Sequence, residues 1–490
     1  MPDLPSPSDP AASPGVDPHE LERAFALLEQ LGELEPDHPQ QLQMRQAVNR
    51  MNRQIRARRR RQARQPVIDA DRAVLERTAT GSPLRIDDET RGIPLTSSAP
   101  GAVAGHLAEP RDCYICKQAY TQVDAFYHWL CPECAAENHA RRDQRTDLRG
   151  RRALLTGGRA KIGMYIALRL LRDGAHLTIT TRFPHDAARR FAAMPDAADW
   201  LDRLEIVGID LRDPGQVVAL ADQVAAAGPL DILINNAAQT VRRSPGAYTH
   251  LVEGERTPLP TDRPLPRISS FERISEAHPA ALAGIGTEAG LARSAAETVA
   301  QALEAGHASL ERHLAGTAID AGGLLPDLAR SNSWTKTVEQ VDPLEMLEVQ
   351  LCNATAPFLL VSRLRGAMRS SSFERRYVVN VSAMEGQFAR RYKGAGHPHT
   401  NMAKAALNML TRTSGEEMYR TDRILMTAVD TGWITDERPH EDKLRIASEG
   451  WHAPLDLVDG AARVYDPIVQ GEGGNELYGV FLKDYRPHPW

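Results

Sequence analysis

The feature that most constrains the fold is an alternation of strand-like and helical segments that begins near Asp147. Short runs rich in β-branched and aliphatic residues recur between segments with helical periodicity. The predicted strands are RALLTGG, HLTITTR, LEIVGIDL, LDILINNAA, RYVVNVS, RILMTAVDTG and YGVFLKD. Strands that alternate with helices form parallel sheets with helices on both faces. Residues 147–490 are therefore predicted to form an α/β domain with a doubly wound parallel sheet.

One long segment, residues 240–340, interrupts this alternation. It contains Pro and Gly to about residue 290 and then a helical run, SAAETVAQALEAGHASLERHL. It follows the strand ILINNAA and so leaves the carboxyl ends of the strands, where open α/β sheets bind ligands. We expect a lid or wall of a substrate pocket that includes Trp334, or a surface elaboration that mediates oligomer contacts.

Residues 1–146 have a different composition. Residues 1–18 are rich in Pro, Ser and Asp and are expected to be disordered. Residues 19–66 are predicted to be helical, with an amphipathic helix over 19–31 and an arginine-rich helix over 40–64. Residues 67–110 are expected to form a linker.

The arginine-rich helix carries eight arginines and no acidic residue between Arg50 and Arg64. An anionic partner such as RNA, lipid headgroups or an acidic protein surface would match this charge. The alternative is a solvated helix face that packs against acidic groups of the same chain or its oligomer. We favour the alternative here, because the rest of the chain is acidic and no aromatic residues interleave for base stacking.

Four of the five cysteines form two C-x-x-C pairs. The spacing C-x2-C-x14-C-x2-C of Cys113, Cys116, Cys131 and Cys134 lets four thiolates close a tetrahedron around Zn²⁺. The segment AFYHWL between the pairs suits a hairpin strand, and AAENHARR after them suits a helix. We therefore predict a structural zinc module over residues 111–142.

The composition is that of an ordinary soluble protein. Formal net charge is −5 and 42% of the residues are hydrophobic. The first residues, MPDLPSPSDP, have no basic or apolar leader region, and no stretch was expected to approach the about 18 apolar residues of a membrane span. Paired cysteines that suit a metal favour a reducing compartment. We expect a cytoplasmic location.

A glycine-containing turn, LLTGGRAKIG, ends the first predicted strand and opens a helix, where backbone N–H groups and the helix dipole favour phosphate. Further motifs follow in order. They are Asp210-Leu211, Asn235-Asn236-Ala237-Ala238, Asn353, Val379-Asn380-Val381-Ser382, Lys404 and Thr431-Gly432-x-Ile434-Thr435. Together they resemble the short-chain dehydrogenase/reductase superfamily over about 250 residues, with a Rossmann fold.

The resemblance implies a dinucleotide site. Gly157 and Gly163 would let the backbone approach the phosphates, and Lys161 stands in place of the family's middle glycine. The implied cofactor-binding residues are Thr156, Gly157, Gly158, Arg159, Lys161, Ile162, Gly163, Arg182, Asp210, Leu211, Asn236, Ala237, Ala238, Lys404, Gly432, Ile434 and Thr435. Among them, Asp210 would bind the adenine. The residues from Gly432 to Thr435 would contact the nicotinamide carboxamide.

Charge at the end of the second strand indicates which nucleotide is bound. An NAD site places a carboxylate there to bind the ribose 2′-hydroxyl, whereas this chain has Thr181-Arg182. The planar guanidinium of Arg182 suits a phosphate, so NADP(H) is predicted. The alternative is that Arg182 caps a surface loop.

The catalytic set implied by the resemblance is altered. Lys404 and Asn353 are present, but Thr400 occupies the tyrosine position four residues before the lysine, and a threonine hydroxyl does not ionise near neutral pH. Ala383 falls at the serine position, one residue after Ser382. The candidate substitutes as proton donor are Tyr392, His397 and His399, each of which also has an ordinary structural interpretation.

Two functions are consistent with these residues. The first is an NADP-dependent oxidoreductase that transfers a hydride to or from a small carbonyl, imine or alcohol substrate. The second is an NADP(H)-binding pseudoenzyme that acts as a sensor or scaffold through its zinc module. The resemblance also implies a homo-oligomer formed through the helices near Asn353 and Lys404.

Overall fold

A computed structural model describes residues 16–83, 85, 101–243, 245–271, 273, 275–279, 323–324, 328–390 and 393–490. The chain divides into two compact units, Met1–Ala70 and Asp71–Trp490. The predicted helical run of residues 294–314, most of the predicted disordered tail and Tyr392 lie outside the described residues.

The first unit is helical. Helix α1 spans Pro18–Gly32, and the Asp17 side chain accepts a hydrogen bond from the backbone N–H of His19 at its start. Helix α2 spans Pro39–Leu75 and continues past the unit boundary. Both predicted helices are confirmed. The predicted linker was wrong at both ends, because α2 extends to Leu75 and a strand begins at Val103.

The cysteine pairs lie in a small module that opens the second unit. Strands β1 (Val103–Asp112) and β2 (Ala119–Asp124) pair antiparallel, and helix α3 spans Pro132–Arg142. The predicted strand AFYHWL was wrong: Asp124 ends β2, and its carboxylate accepts hydrogen bonds from the backbone N–H groups of Phe126 and Tyr127. The helix after the second pair is confirmed.

The rest of the second unit is built around a nine-stranded sheet. Its strands are β3 (Arg152–Leu155), β4 (His176–Thr181), β5 (Leu204–Gly208), β6 (Ile232–Asn235), β7 (Arg267–Ser270), β8 (Arg376–Ser382), β9 (Ile424–Asp430), β10 (Val480–Lys483) and β11 (Arg486–His488). Their order is β11-β10-β9-β8-β6-β3-β4-β5-β7, and every neighbouring pair is parallel except β10 with β11. The predicted doubly wound parallel sheet is confirmed.

Helices cover both faces of this sheet and bury two apolar cores. They are α4 (Lys161–Arg172), α5 (Pro184–Ala192), α6 (Pro214–Ala226), α7 (Thr249–Arg256), α8 (Pro343–Gln350), α9 (Ala356–Arg369), α10 (Pro398–Asp422), α11 (His440–Ser448) and α12 (Leu457–Glu472). A π-helical turn, Leu351–Thr355, joins α8 to α9. Two edge strands were not predicted: β7 lies in the insertion beside β5, and β11 pairs antiparallel with β10.

The stretch Pro343–Arg369 is long and apolar enough to span a bilayer by length and composition alone, which the sequence expectation missed. Its most apolar window is 44% buried within the protein. Leu360, Leu364 and Met368 belong to the core shared with α6, and this position accounts for the apolar composition.

Candidate nucleotide and catalytic site

The turn between β3 and α4 has the backbone geometry of a phosphate-binding turn. Gly157 has a φ of 70°, in the left-handed region that favours glycine. A Cβ on Gly163 would lie 2.0 Å from the Gly157 carbonyl oxygen, so no other residue fits there without moving the backbone. The side-chain amide of Asn236 donates to the carbonyls of Thr156 and Gly157 at 3.0 and 3.1 Å. The segment after β6 therefore holds the turn through Asn236.

Lys161 begins α4 with a φ of 52°, the backbone conformation expected of the glycine that it replaces. Its ammonium acts electrostatically on the carboxylate of Glu437. Burial alone would raise the pKa of Glu437, but Lys161, Lys443 and Arg243 bring it below its ordinary value. The Thr435 hydroxyl donates to the same carboxylate at 3.1 Å. Lys161, Lys443 and Arg243 thus place positive charge near the ionised Glu437 carboxylate.

Arg182 follows β4 in a basic and aromatic pocket. Its guanidinium lies 5.0 Å from the ring centre of Tyr248 and 3.4 Å from the Tyr248 hydroxyl. Burial would raise the pKa of Tyr248, but Arg182, Arg243 and Arg212 lower it below its ordinary value. Positive charge therefore concentrates at the end of the second strand of the domain, as the sequence predicted.

The Asp210 carboxylate is buried and is hydrogen-bonded to neighbouring side chains. Its carboxylate receives hydrogen bonds from the Arg212 guanidinium at 2.6 to 3.1 Å, and the His278 Nε2 lies 3.3 Å away. The Arg212 guanidinium also donates a hydrogen bond to one carboxylate oxygen of Glu348. The second oxygen of Glu348 accepts a hydrogen bond from the Gln239 side-chain amide at 2.9 Å. The role of Asp210 in adenine binding remains a prediction. In the structure its carboxylate holds Arg212 and His278 in a buried hydrogen-bond network.

Asn353 lies in the π-helical turn between α8 and α9, a kind of distortion that often marks functional sites. Its side chain accepts a hydrogen bond from the backbone N–H of Gln239 at 2.7 Å and donates to the Gln239 carbonyl at 3.0 Å. It therefore fixes the segment after β6, where the NNAA motif ends.

Lys404 lies nearly two turns inside α10. Its ammonium donates a 2.8 Å hydrogen bond to the Val381 carbonyl at the end of β8. Burial lowers the pKa of Lys404 to about 8, although Cys352, Glu385 and Asp430 favour the charged form. A cation is thus held at the carboxyl edge of the sheet, on the side reached by the turn after β3.

The two hydroxyls predicted at the catalytic position are both used internally. The Ser382 hydroxyl donates to the Asn408 side-chain oxygen at 2.5 Å, and the Thr400 hydroxyl donates to the His397 carbonyl at 2.9 Å. Both residues are buried. Ser382 therefore fastens β8 to α10, and Thr400 closes the first turn of that helix.

The two histidines ahead of Lys404 have different surroundings. His397 has a φ of 45° and stacks on Trp334 with ring centres 3.9 Å apart, while its Nδ1 lies 2.9 Å from the Trp334 carbonyl oxygen. Burial lowers the pKa of His397. His399 is buried, and its Nε2 lies 3.3 Å from a carboxylate oxygen of Glu345. Neither imidazole adjoins the Lys404 ammonium among the recorded contacts of the described residues.

The end of the insertion contributes to this side of the sheet. Besides the Trp334 stack, the Asn332 amide donates to the Glu437 carbonyl at 2.9 Å, and Ser333 accepts a hydrogen bond from the Arg242 backbone. Residues 332–334 therefore bridge the loop before α10 and the loop after β9. The role of the insertion remains a prediction.

Sequence reasoning overlooked Asp430. It ends β9 opposite Ser382 in register and is 5% exposed. Burial, together with the nearby carboxylates of Asp484 and Glu385, raises its pKa to about 6, against the opposing effect of Lys483. Its position at the carboxyl end of a predicted strand, beside a glycine loop, was the available signal. It is a buried carboxyl group within electrostatic range of Lys404.

The cysteine module packs directly on the loop that follows β9. Tyr114, inside the first C-x-x-C pair, accepts a 3.0 Å hydrogen bond from the Trp433 backbone N–H. Ile434 lies in one apolar cluster with Phe126 and Tyr127 of the module. Ion pairs from Arg142 of α3 to the amino-terminal end of α12 add to this interface. The module therefore braces the loop whose residues are predicted to contact the nicotinamide.

The sulfur atoms of Cys113, Cys116, Cys131 and Cys134 all lie within 4.8 Å of one another. The Cys131 backbone N–H also donates to the Cys113 sulfur at 3.3 Å. Zn–S bonds of about 2.3 Å in a tetrahedron require sulfur separations of about 3.8 Å, so the four thiols fit one zinc ion with small adjustments. Cys352 lies elsewhere, in the π-helical turn.

Solved structures with a similar fold were found. A short chain dehydrogenase from Burkholderia cenocepacia J2315 in complex with NADP is 20% identical, with a TM-score of 0.42 over 69% of this chain and 97% of that chain. The Pseudomonas aeruginosa RhlG/NADP active-site complex is 19% identical, with a TM-score of 0.40 over 69% of this chain and 95% of that chain.

Sequence relatives are more informative. An uncharacterised protein of Acanthamoeba polyphaga mimivirus is 30% identical over 369 residues, which cover 73% of this chain and 71% of that protein. A probable oxidoreductase of Streptomyces antibioticus is 40% identical over 91 residues, or 19% of this chain and 30% of the relative. A family model described as short chain dehydrogenase matches residues 151–251, which include the turn after β3, Arg182, Asp210 and the NNAA motif. Over residues 151–251 the chain is therefore similar to short chain dehydrogenases.

Proposed function

We propose that the protein is an NADP-dependent oxidoreductase that transfers a hydride to or from a small carbonyl, imine or alcohol substrate. The observation that carries the proposal is the Lys404 ammonium on the Val381 carbonyl, at the same sheet edge as the turn after β3. In this fold ligands bind at the carboxyl ends of the strands. A cation and a phosphate-accepting turn at one edge suit a dinucleotide.

The residues of the turn fit a dinucleotide phosphate. Gly163 leaves no room for a side chain, and Lys161 adds positive charge beside the amino terminus of α4. The pocket of Arg182, Arg243 and Tyr248 favours a further phosphate over a ribose hydroxyl. When bound, a nicotinamide nucleotide supplies or accepts the hydride. NADP(H) is therefore the proposed cofactor.

The residues of this chain supply the remaining chemistry. Lys404 holds positive charge near the reacting oxygen and orients it, and Asn353 fixes the segment after β6. Because the hydroxyls of Ser382 and Thr400 are bonded internally, the altered set requires another proton source. Candidates are the Asp430 carboxyl group, water, His397 or Tyr392.

A second function is favoured by a specific observation. The internal hydrogen bonds of Ser382 and Thr400 leave the site without a free hydroxyl at either predicted position. A pseudoenzyme would keep the nucleotide site and use it for sensing, with the cysteine module as scaffold. The direct packing of that module on the loop after β9 supports this alternative.

Turnover separates the two functions. Purified protein is titrated with NADPH and with NADH, and then assayed on a panel of carbonyl and imine substrates for loss of NADPH absorbance. The oxidoreductase proposal expects tighter NADPH and a turnover that Lys404→Ala lowers by at least 100-fold. Arg420→Ala, on the exposed surface of the same helix, is the control. NADPH binding without turnover on any substrate supports the sensor, and tighter NADH contradicts the assignment of NADP.

Three further assignments accompany this function. The four-cysteine module would hold a structural zinc ion, which metal analysis of the purified protein tests.

A homo-oligomer would form through α9 and α10, where Phe358, Met402 and Met409 are more than half exposed. Light scattering measures its mass, and a monomer would contradict the assignment. The proposed location is cytoplasmic, which cell fractionation tests.

A further inference from the structure

The arginines of α2 form an exposed cationic surface. Arg50, Arg53, Arg56, Arg58, Arg59, Arg60, Arg61 and Arg64 are all exposed. At about 100° per residue, all but Arg58 and Arg59 fall within an arc of about 140°. The run covers about 21 Å of helix length at 1.5 Å per residue. We call this surface the arginine face.

Seven of the eight arginines, from Arg50 to Arg61, take part in no ion pair within the described residues of the first unit. No acidic residue occurs between Pro39 and Ile68 of the helix. Acids of the first unit therefore do not neutralise these seven guanidinium groups, and an anionic partner would match their charge.

We propose that the arginine face binds the phosphate backbone of duplex DNA without sequence preference. Guanidinium groups are planar forks that bind phosphate oxygens in pairs, and rows of them neutralise successive phosphates. A helix of about 10 to 12 Å diameter fits the major groove of B-form DNA, which is about 12 Å wide. The deep, narrow major groove of A-form RNA does not admit it.

Other anionic partners fit less well. Base stacking on single strands requires aromatic side chains, and α2 has none. A helix that lies on a membrane needs a bulky apolar face with Trp, Phe or Leu. The bulky apolar residues on the side opposite the arginine face are Met44, Val48, Met51 and Ile55, with no Trp, Phe or Leu among them. The composition of α2 therefore favours recognition of a charged groove over base stacking or membrane binding.

Fluorescence anisotropy on the full chain tests the proposal with labelled duplexes of about 20 base pairs and unrelated sequences. We expect micromolar binding that is equal between sequences and weakens on the order of 100-fold or more between 50 and 200 mM KCl. The quadruple variant R53Q/R56Q/R60Q/R61Q, which removes four arginines within that arc, should lose at least 10-fold in affinity at 50 mM KCl. Gln keeps helix propensity, and circular dichroism melting checks that the fold is intact.

The matched control removes exposed arginines elsewhere: R420Q/R445Q should bind as the unmodified chain does. Four outcomes would overturn the proposal. They are absence of salt-dependent DNA binding, equal binding by the quadruple variant, tighter binding to duplex or single-stranded RNA, and binding to phosphatidylserine vesicles without binding to DNA. None of these depends on NADPH binding or turnover.

Discussion

The two ends of the candidate nucleotide site differ in how they are held. At the phosphate end, Gly163 packs against the Gly157 carbonyl within the turn itself, and Asn236 adds two hydrogen bonds from the segment after β6. At the catalytic end, Lys404, Asp430 and the loop after β9 are held by contacts between distant segments, including the cysteine module. At the second end the hydroxyls of Ser382 and Thr400 are hydrogen-bonded within the protein. The phosphate end thus depends partly on residues that are close together in the sequence, whereas the catalytic end depends on contacts between distant segments.

The largest expected effect tests the cysteine module, which packs on the loop after β9 at the catalytic end. Cys113→Ser should remove the zinc site and lower the free energy of unfolding by several kcal/mol, since structural zinc binding contributes on the order of 10 kcal/mol to folding. Metal analysis and denaturant unfolding measure this change. Cys352→Ser, which alters a cysteine outside the cluster, should keep the metal. Equal zinc content in the two variants would show that the cysteine cluster holds no metal.

The next effect concerns the phosphate end. Gly163→Ala places a methyl group 2.0 Å from the Gly157 carbonyl, so the turn must open. We expect NADPH affinity to fall by more than 100-fold, as measured by fluorescence titration. Gly366→Ala is the control, because a Cβ at this helical glycine meets no atom within 4 Å and should stabilise α9 by about 1 kcal/mol. Unchanged affinity in Gly163→Ala would place the phosphates elsewhere.

A smaller effect is expected at Asp430. Its folded pKa of about 6 lies above the unfolded value of about 3.9, so the folded chain binds more protons in this range and stability falls as pH rises through it. Between pH 5 and pH 7.5 the loss is about 1.4 kcal/mol. Asp430→Asn should remove this part of the pH dependence, as measured by urea unfolding at both pH values. Parallel pH profiles for the variant and the parent would contradict the raised pKa.

The same contrast explains what could be predicted from sequence. Strand and helix periodicity gave the parallel sheet, and the glycine turn, Arg182 and the cysteine pairs were identified from local patterns. Strand β7 was missed because the short polar run RISS forms only by pairing with β5. The engagement of Ser382 with Asn408, and of Asp210 with Arg212 and His278, depends on partners that periodicity does not specify.

The smallest expected effect tests whether the cysteine module acts on the nucleotide site. Tyr114→Phe removes the acceptor for the Trp433 backbone N–H and should loosen the loop from Gly432 to Thr435. Loss of one hydrogen bond costs about 1 kcal/mol, so NADPH affinity should weaken by about 5-fold with zinc content unchanged. Tyr120→Phe is the matched control, because that hydroxyl donates within the module to the His128 carbonyl. If both variants weaken NADPH equally, the effect arises from module stability, and the Tyr114 contact has no separate role in positioning the loop.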